Sequence, residues 1–286
     1  MRRMEKILVI KNLTYELKLK IRSGKPVFTA MLGPGNDPQT TVPRIKEAGF
    51  DFLILDREHS LTSEETISEY ITVGKEQGIP VFLRPEEVNS NWRRFLDSGI
   101  SGLYLGMVNT VEQAASAVNQ TYFPPLGHRG SSIGMNPYLI DQQDPQKLPY
   151  LSLLEYVNNN TAILSCTESL ESISNLPRIV RLEGITGVIA ATQDLMLNIA
   201  TIVGDARPEA PIAERLNTDY MAERLREILA ICREAGKPAG IGGLQSAKDY
   251  ARWCQEGYRI LMLGSARDGA IEKLLRRIEE VKSLIS

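Results

Sequence analysis

Eight short apolar runs divide the chain at intervals that leave room for a helix after each. They are VFTAML (27–32), FDFLILD (50–56), IPVFLRP (79–85), GLYLGM (102–107), TAILSCTE (161–168), GVIAATQD (187–194), KPAGIGG (237–243) and YRILMLGS (258–265). Within a run the apolar residues are consecutive rather than alternating, as in a parallel strand covered on both faces. Amphipathic stretches lie between them. TTVPRIKEAG (40–49) closes on Gly49 as a helix stop, and SEETISEYITVGKEQG (63–78) opens on Ser63 as an N-cap. Strand–helix alternation predicts a parallel α/β fold. Eight units predict a closed (β/α)8 TIM barrel. The rival layout, an open doubly wound sheet, has no G-x-G-x-x-G after its first strand. A length of 286 residues suits one barrel, so residues 1–286 are expected to form a single domain.

One segment breaks the rhythm. Residues 122–150, rich in Pro and Gly, read as a long irregular loop, and such loops in compact domains are functional or disordered. The QSAKDYARW stripe (245–253) and the charged C-terminal helix (266–284) read as solvated or interface faces.

Composition narrows the function. There are 33 basic and 35 acidic residues, a formal net charge of −2, which points to neither nucleic acid nor an anionic membrane as partner. No run approaches the roughly 20 apolar residues of a membrane span. Cys166, Cys232 and Cys254 show no C-x-x-C spacing, so reduced thiols in a cytoplasmic protein are expected.

In a (β/α)8 barrel the chemistry sits at the C-terminal ends of the strands. The second run ends in Asp56-Arg57-Glu58-His59, the third in Arg84, the fifth in Glu168 and the sixth in Gln193-Asp194. Glu168 and Asp194 lie one β–α–β unit apart and would face each other across the mouth. Two such carboxylates repel, and a hard divalent cation such as Mg²⁺ or Mn²⁺ resolves the conflict. The alternative is that Glu168 caps the following helix and Asp194 starts a turn. The planar fork of Arg84 suits a carboxylate or keto-carboxylate, or else an ion pair with Asp56, Glu58 or Glu86. His59 is a candidate general base with Asp56 to orient it, or else a satisfied loop histidine. His128 reads as an exposed loop histidine. Cys166 reads as a small buried hydrophobe.

Taken together these segments resemble the HpcH/HpaI aldolases, which are class II, metal-dependent, pyruvate-specific aldolases. DFLILDREHS, VFLRPEEVN, FLDSGISGLYLGMVNTVEQAASAV, YFPPLGHRGSS and LPRIVRLEGITGVIAATQDL each resemble a family segment, in the family's order and spacing from about residue 15 onward. The resemblance implies a (β/α)8 barrel. It implies Glu168 and Asp194 as ligands of a divalent metal (Mg, Mn or Co), and Arg84 as the residue that binds the 2-oxo acid and stabilises its enolate. His59 matches the base and Asp56 its partner, with Gln193 and Asp194 beside the substrate. The implied partners are a small 2-oxo acid and further copies of the chain. The homo-oligomer would be a dimer or hexamer, with helix 266–284 exchanged between neighbours.

The chain also departs from the family pattern. Ala191-Thr192-Gln193 replaces the Gly-Pro-x before the aspartate, Cys166 replaces a glutamine, Met31 a tryptophan, and GSSIGMNPY the usual loop tail. Three functions are consistent with this pattern. The first is an aldolase cleaving or forming a 4-hydroxy-2-oxo acid. The second is a condensing lyase or synthase joining an enolate to oxaloacetate or an acyl-CoA. The third is a catalytically silent ligand-binding oligomer.

Overall fold

A computed structural model describes residues 13–88, 90–131, 149–203, 218–266 and 271–286. Eight parallel strands close into a barrel in sequence order: β1 (Val27–Leu32), β2 (Phe52–Asp56), β3 (Val81–Arg84), β4 (Gly102–Leu105), β5 (Ala162–Thr167), β6 (Ile185–Ala191), β7 (Ala239–Gly242) and β8 (Ile260–Ala266). β8 pairs back onto β1, Val27 lying opposite Ile260. All eight expected strands are present.

Why the runs are continuously apolar becomes clear from their two sides. Alternate residues of a strand point to opposite faces. One set, including Met31, Phe52, Ile54, Phe82, Tyr104, Leu164, Cys166 and Ile189, forms a cluster inside the barrel. The other set, including Leu32, Leu53, Leu83, Leu103, Ile163 and Leu261, packs outward under the helices. Both faces are dry, so neither can be polar until a strand reaches the mouth. There the inward set continues as Asp56 after Ile54, Arg84 after Phe82 and Glu168 after Cys166.

The jacket consists of α1 (Leu13–Arg22), α2 (Pro38–Ala48), α3 (Glu64–Glu76), α4 (Arg93–Ser98), α5 (Val111–Thr121), α6 (Tyr150–Asn159), α7 (Leu170–Ile179), α8 (Thr192–Val203), α9 (Asp219–Glu234), α10 (Ala247–Glu256) and α11 (Glu272–Ile285). Ser63 caps α3 by accepting from the Thr66 N–H (3.2 Å). Gly49 ends α2 at φ 92°, a left-handed conformation that favours glycine.

Three features differ from the sequence expectation. First, α1 has no strand before it among the described residues, and its Leu17 and Ile21 join the interior cluster as the barrel's floor. Second, the sixth strand stops at Ala191 rather than at 194, because Thr192, Gln193 and Asp194 already form the first turn of α8. Third, the 245–253 stripe is solvated on one side only: Lys248 and Arg252 are exposed, whereas Tyr250 and Trp253 are buried in the outer core. α11 packs against α10 and β8, with Ile278 and Val281 buried. Most of the long loop, 132–148, lies outside the described residues.

Candidate active site

Asp56 and Arg84 are register partners on β2 and β3, so their inward side chains meet. Arg84 Nε donates to Asp56 Oδ1 (2.9 Å) and its Nη2 lies 2.8 Å from Oδ2, a two-point pairing. The third nitrogen, Nη1, lies 3.1 Å from Glu58 Oε2. Of the two alternatives left open for Arg84, the ion pair is therefore made, with Asp56 and Glu58 together. It uses three of the five guanidinium N–H groups and leaves two for a ligand. Burial opposes the cation, but Asp56, Tyr104 and Glu58 outweigh it, and its pKa is raised.

Asp56 is fully buried and holds the turn that follows it. Its Oδ1 accepts the backbone N–H of Glu58 (3.1 Å) and of His59 (3.2 Å). These bonds place His59 through its main chain, whereas its ring Nε2 faces Glu58 Oε2 at 3.7 Å. The imidazole is half-exposed at the mouth.

Glu168 follows β5. It is not a cap: Ser169 caps α7 in a reciprocal capping box with Ser172, whose hydroxyl also accepts the Glu168 N–H (3.1 Å). The Glu168 carboxylate is thus free to turn inward, where it is buried. Its Oε1 accepts the Met107 N–H. Its Oε2 accepts from the Cys166 thiol (3.3 Å), which lies 3.1 Å from the Tyr104 hydroxyl. Burial raises the Glu168 pKa. The Met107 and Cys166 bonds oppose that shift, and the charges of Asp194 and Glu58 add to it. Burial also pushes Cys166 and Tyr104 well above their ordinary values, so both remain protonated and can donate.

Asp194, exposed in the first turn of α8, is brought to the mouth by a clasp between that turn and the end of β7. Thr192 Oγ1 donates to Gly242 O (2.8 Å), and Gln193 Nε2 reaches Gly243 O at 3.5 Å. Gly243 has φ 84°, and a Cβ there would sit 2.7 Å from Thr192 Oγ1, so the clasp requires glycine.

A cavity of about 460 Å³ is lined by Arg84, His59, Gln193, Asp194, Tyr104 and Met31, among others. It therefore joins Arg84, the imidazole of His59 and the Asp194 carboxylate, with Lys273 and Arg277 also on its wall. Among the described residues no three of His, Cys, Asp and Glu converge as a metal cage. The charges of Asp194 and Glu58 both act on Glu168. A buried carboxylate and an exposed one that repel each other fit a hard cation that keeps part of its water shell.

Two contributors were missed from the sequence. Glu58, which the sequence offers only as a possible partner of Arg84, also acts on Glu168. Met107 contributes its backbone, at φ 53°, a conformation rare outside glycine and of a kind that concentrates at functional sites. His128, as expected, is exposed, with Nδ1 2.6 Å from Asn119 Oδ1.

Comparison with known proteins places these features in context. The HpcH/HpaI aldolase/citrate lyase family profile matches residues 30–272. The chain is 27% identical over 241 residues to the 4-hydroxy-2-oxo-heptane-1,7-dioate aldolase of Shigella sonnei, covering 82% of this chain and 83% of that one. It is 29% identical over 226 residues to the 5-keto-4-deoxy-D-glucarate aldolase of Klebsiella pneumoniae, covering 76% and 78%. The crystal structure of an HpcH/HpaI aldolase from Desulfitobacterium hafniense superposes with a TM-score of 0.75 at 22% identity, over 94% of this chain and 96% of that one.

Proposed function

Because the chain belongs to the HpcH/HpaI aldolase/citrate lyase family, we propose that it is a metal-dependent carbon–carbon lyase that cleaves a 4-hydroxy-2-oxo acid to pyruvate and an aldehyde. One observation carries this reading: the half-free Arg84 guanidinium shares a single cavity with His59 and Asp194, beside the buried carboxylate of Glu168.

Each residue has a role. Arg84 holds the 2-oxo acid by its carboxylate through its two remaining N–H groups, and its fixed charge meets the oxyanion that develops as the bond breaks. His59 accepts the 4-hydroxyl proton. The C3–C4 bond breaks, its electron pair passing to C3 as the pyruvate enolate, while C4 becomes the aldehyde carbonyl. Protonation at C3 then gives pyruvate, and condensation is the reverse. Asp56 is a positioning residue, since it fixes both the guanidinium and the main chain of His59. Gln193 lines the wall beside the substrate. Glu168 and Asp194 would hold a divalent cation, magnesium, manganese or cobalt, which supplies Lewis-acid stabilisation to the developing oxyanion.

The same reading includes a homo-oligomer, with α11 as an exchanged or interfacial element. Exposed apolar side chains at Leu61 (96%) and Leu151 (77%) support such contacts. Buried free thiols at Cys166, Cys232 and Cys254 support a cytoplasmic setting. No described helix is long and apolar enough to cross a membrane.

The test is pyruvate release from 4-hydroxy-2-oxo acids in EDTA and then with Mg²⁺, Mn²⁺ or Co²⁺ restored. Release is expected to return with metal and to be lost in Glu168→Ala. Release that ignores EDTA, or its absence with every metal, would overturn the reading.

A further inference from the structure

We propose that the N-terminal end of the barrel, opposite the mouth, carries a second ligand site for a phosphate-type oxyanion in the cavity between Lys18, Arg22 and Lys237. This cavity, of about 340 Å³, is bounded by α1, the end of α6, the start of β6 and the turn before β7. It is separate from the catalytic cavity because the strands begin here and end there.

The two lysines are set in place by main-chain carbonyls rather than by carboxylates. Lys18 Nζ donates to the carbonyls of Asn159 and Thr161 (both 3.0 Å), and Lys237 Nζ to that of Ile185 (2.5 Å). Those acceptors are main-chain oxygens, Asn159 at the end of α6 and Thr161 and Ile185 where β5 and β6 begin. They fix the ammonium groups but leave their charge unanswered. Arg22, one turn after Lys18 on α1, is exposed and makes no ion pair among the described residues. Glu183 is the only carboxylate among the lining residues, so three cations face one anion.

The electrostatics reflect that imbalance. Burial, then Arg22 and Lys237, pulls the Lys18 amine down to about 8. Burial and Arg22 lower Lys237 as well, while Glu183 acts in the opposite direction. An anion in the cavity would relieve this repulsion.

Donor count and room specify its class. Lys18 retains one ammonium proton, Lys237 two and Arg22 all five of its N–H groups. Donors converging from two segments suit an anion with several oxygens and a charge near −2, which phosphate and phosphate monoesters carry. The volume lies at the lower end of small-molecule pockets, so the phosphoryl group has space for a small organic remainder.

The experiment follows thermal unfolding of the full chain while inorganic phosphate replaces chloride at constant ionic strength, with ³¹P line broadening as a second readout. A saturable rise in Tm of about 2–4 °C is expected. It should vanish in Arg22→Glu and weaken in Lys237→Gln, while Arg22→Lys keeps most of it. An equal rise in wild type and Arg22→Glu, or none beyond that with chloride, would overturn the site. The lysines would then be staples between α1 and the strand starts. Glycerol phosphate and malonate complete the series. Tighter binding of glycerol phosphate than of phosphate assigns a phosphorylated metabolite, and the reverse assigns the free ion. Tighter binding of malonate than of either overturns the phosphate assignment.

Discussion

The two ends of this barrel are made by the same strands but hold their charges differently. At the mouth Asp56 and Glu58 pair with Arg84, Asp194 shares its cavity, and Lys273 and Arg277 also line that cavity. At the floor Lys18, Arg22 and Lys237 surround a single Glu183. The pairing rules differ as well. Arg84 at the mouth is matched side chain to side chain, in its two-point contact with Asp56. The floor lysines rest on backbone carbonyls. A side-chain pair holds a group in one orientation that chemistry can use. A carbonyl staple fixes a position and leaves the charge available. The comparison thus separates geometry that serves reaction from geometry that serves closure or a ligand.

The largest effect should come from breaking the mouth's central pair. Arg84→Ala strands Asp56 in the interior, and loss of one partner of a buried ion pair costs about 3–5 kcal/mol. Urea denaturation should show that loss. Pyruvate release should also fall by roughly 10²–10³-fold, because the donor to the developing oxyanion is gone. A variant of wild-type stability would mean that the pair does not organise the mouth.

Next in size is His59→Ala. Aldol cleavage should slow by about 10²-fold or more, the usual value of a positioned base. Oxaloacetate decarboxylation, which needs no hydroxyl proton removed, should fall far less. Equal losses would remove His59 from the base role.

A smaller effect separates binding from folding. Glu168 has a raised pKa in the folded chain. Its ionised form therefore opposes folding above that pKa, and the penalty is relieved as pH falls through it. Glu168→Gln should raise the metal-free Tm at neutral pH by about 2–4 °C. The same substitution should abolish the rise that Mg²⁺ or Mn²⁺ gives the wild type. If the variant still responds to metal, the ligand assignment fails.

A last effect belongs to the floor. The folded Lys18 pKa of about 8 lies below its ordinary 10.5, so the protonated amine opposes folding. That cost is fully present below about 8 and is relieved as pH rises toward 10.5. Stability measured from pH 7.5 to 10.5 should therefore rise more steeply in wild type than in Lys18→Met. Parallel curves would show that Lys18 is not strained.

Much of the mouth was legible because it depends on strand periodicity. Asp56, Arg84 and Glu168 extend the inward set by two residues, a relation that apolar runs reveal once the barrel is assumed. What stayed hidden depends on other physics. Asp194 reaches the mouth from a helix turn, held by a hydroxyl on α8 and a carbonyl of β7, elements far apart in sequence. Asp56 serves His59 through a main-chain N–H, and residue identities do not reveal main-chain bonds. Met107 adopts a conformation that its side chain disfavours, so its role has no compositional marker. The floor helix was missed because no apolar run precedes it to suggest a β–α unit. Its Leu17 and Ile21 make sense only beneath strands that come later.

That helix also bears on the order of assembly. Leu17 and Ile21 share one cluster with Phe52, Leu164 and Ile260, and β1 is seamed to β8. The contacts that seal the bottom thus link the first described helix to the last strand, at nearly the greatest sequence separation the chain allows. Loop-closure entropy makes such contacts slow to form, and partial barrels cannot supply them. A chain still being synthesised has Arg84, His59, Glu168 and Asp194 before β8 exists, but it lacks the strand that completes its base. Chemistry must wait for closure, and truncation before Ile260 should leave the α1 plug without the strand that closes the barrel around it.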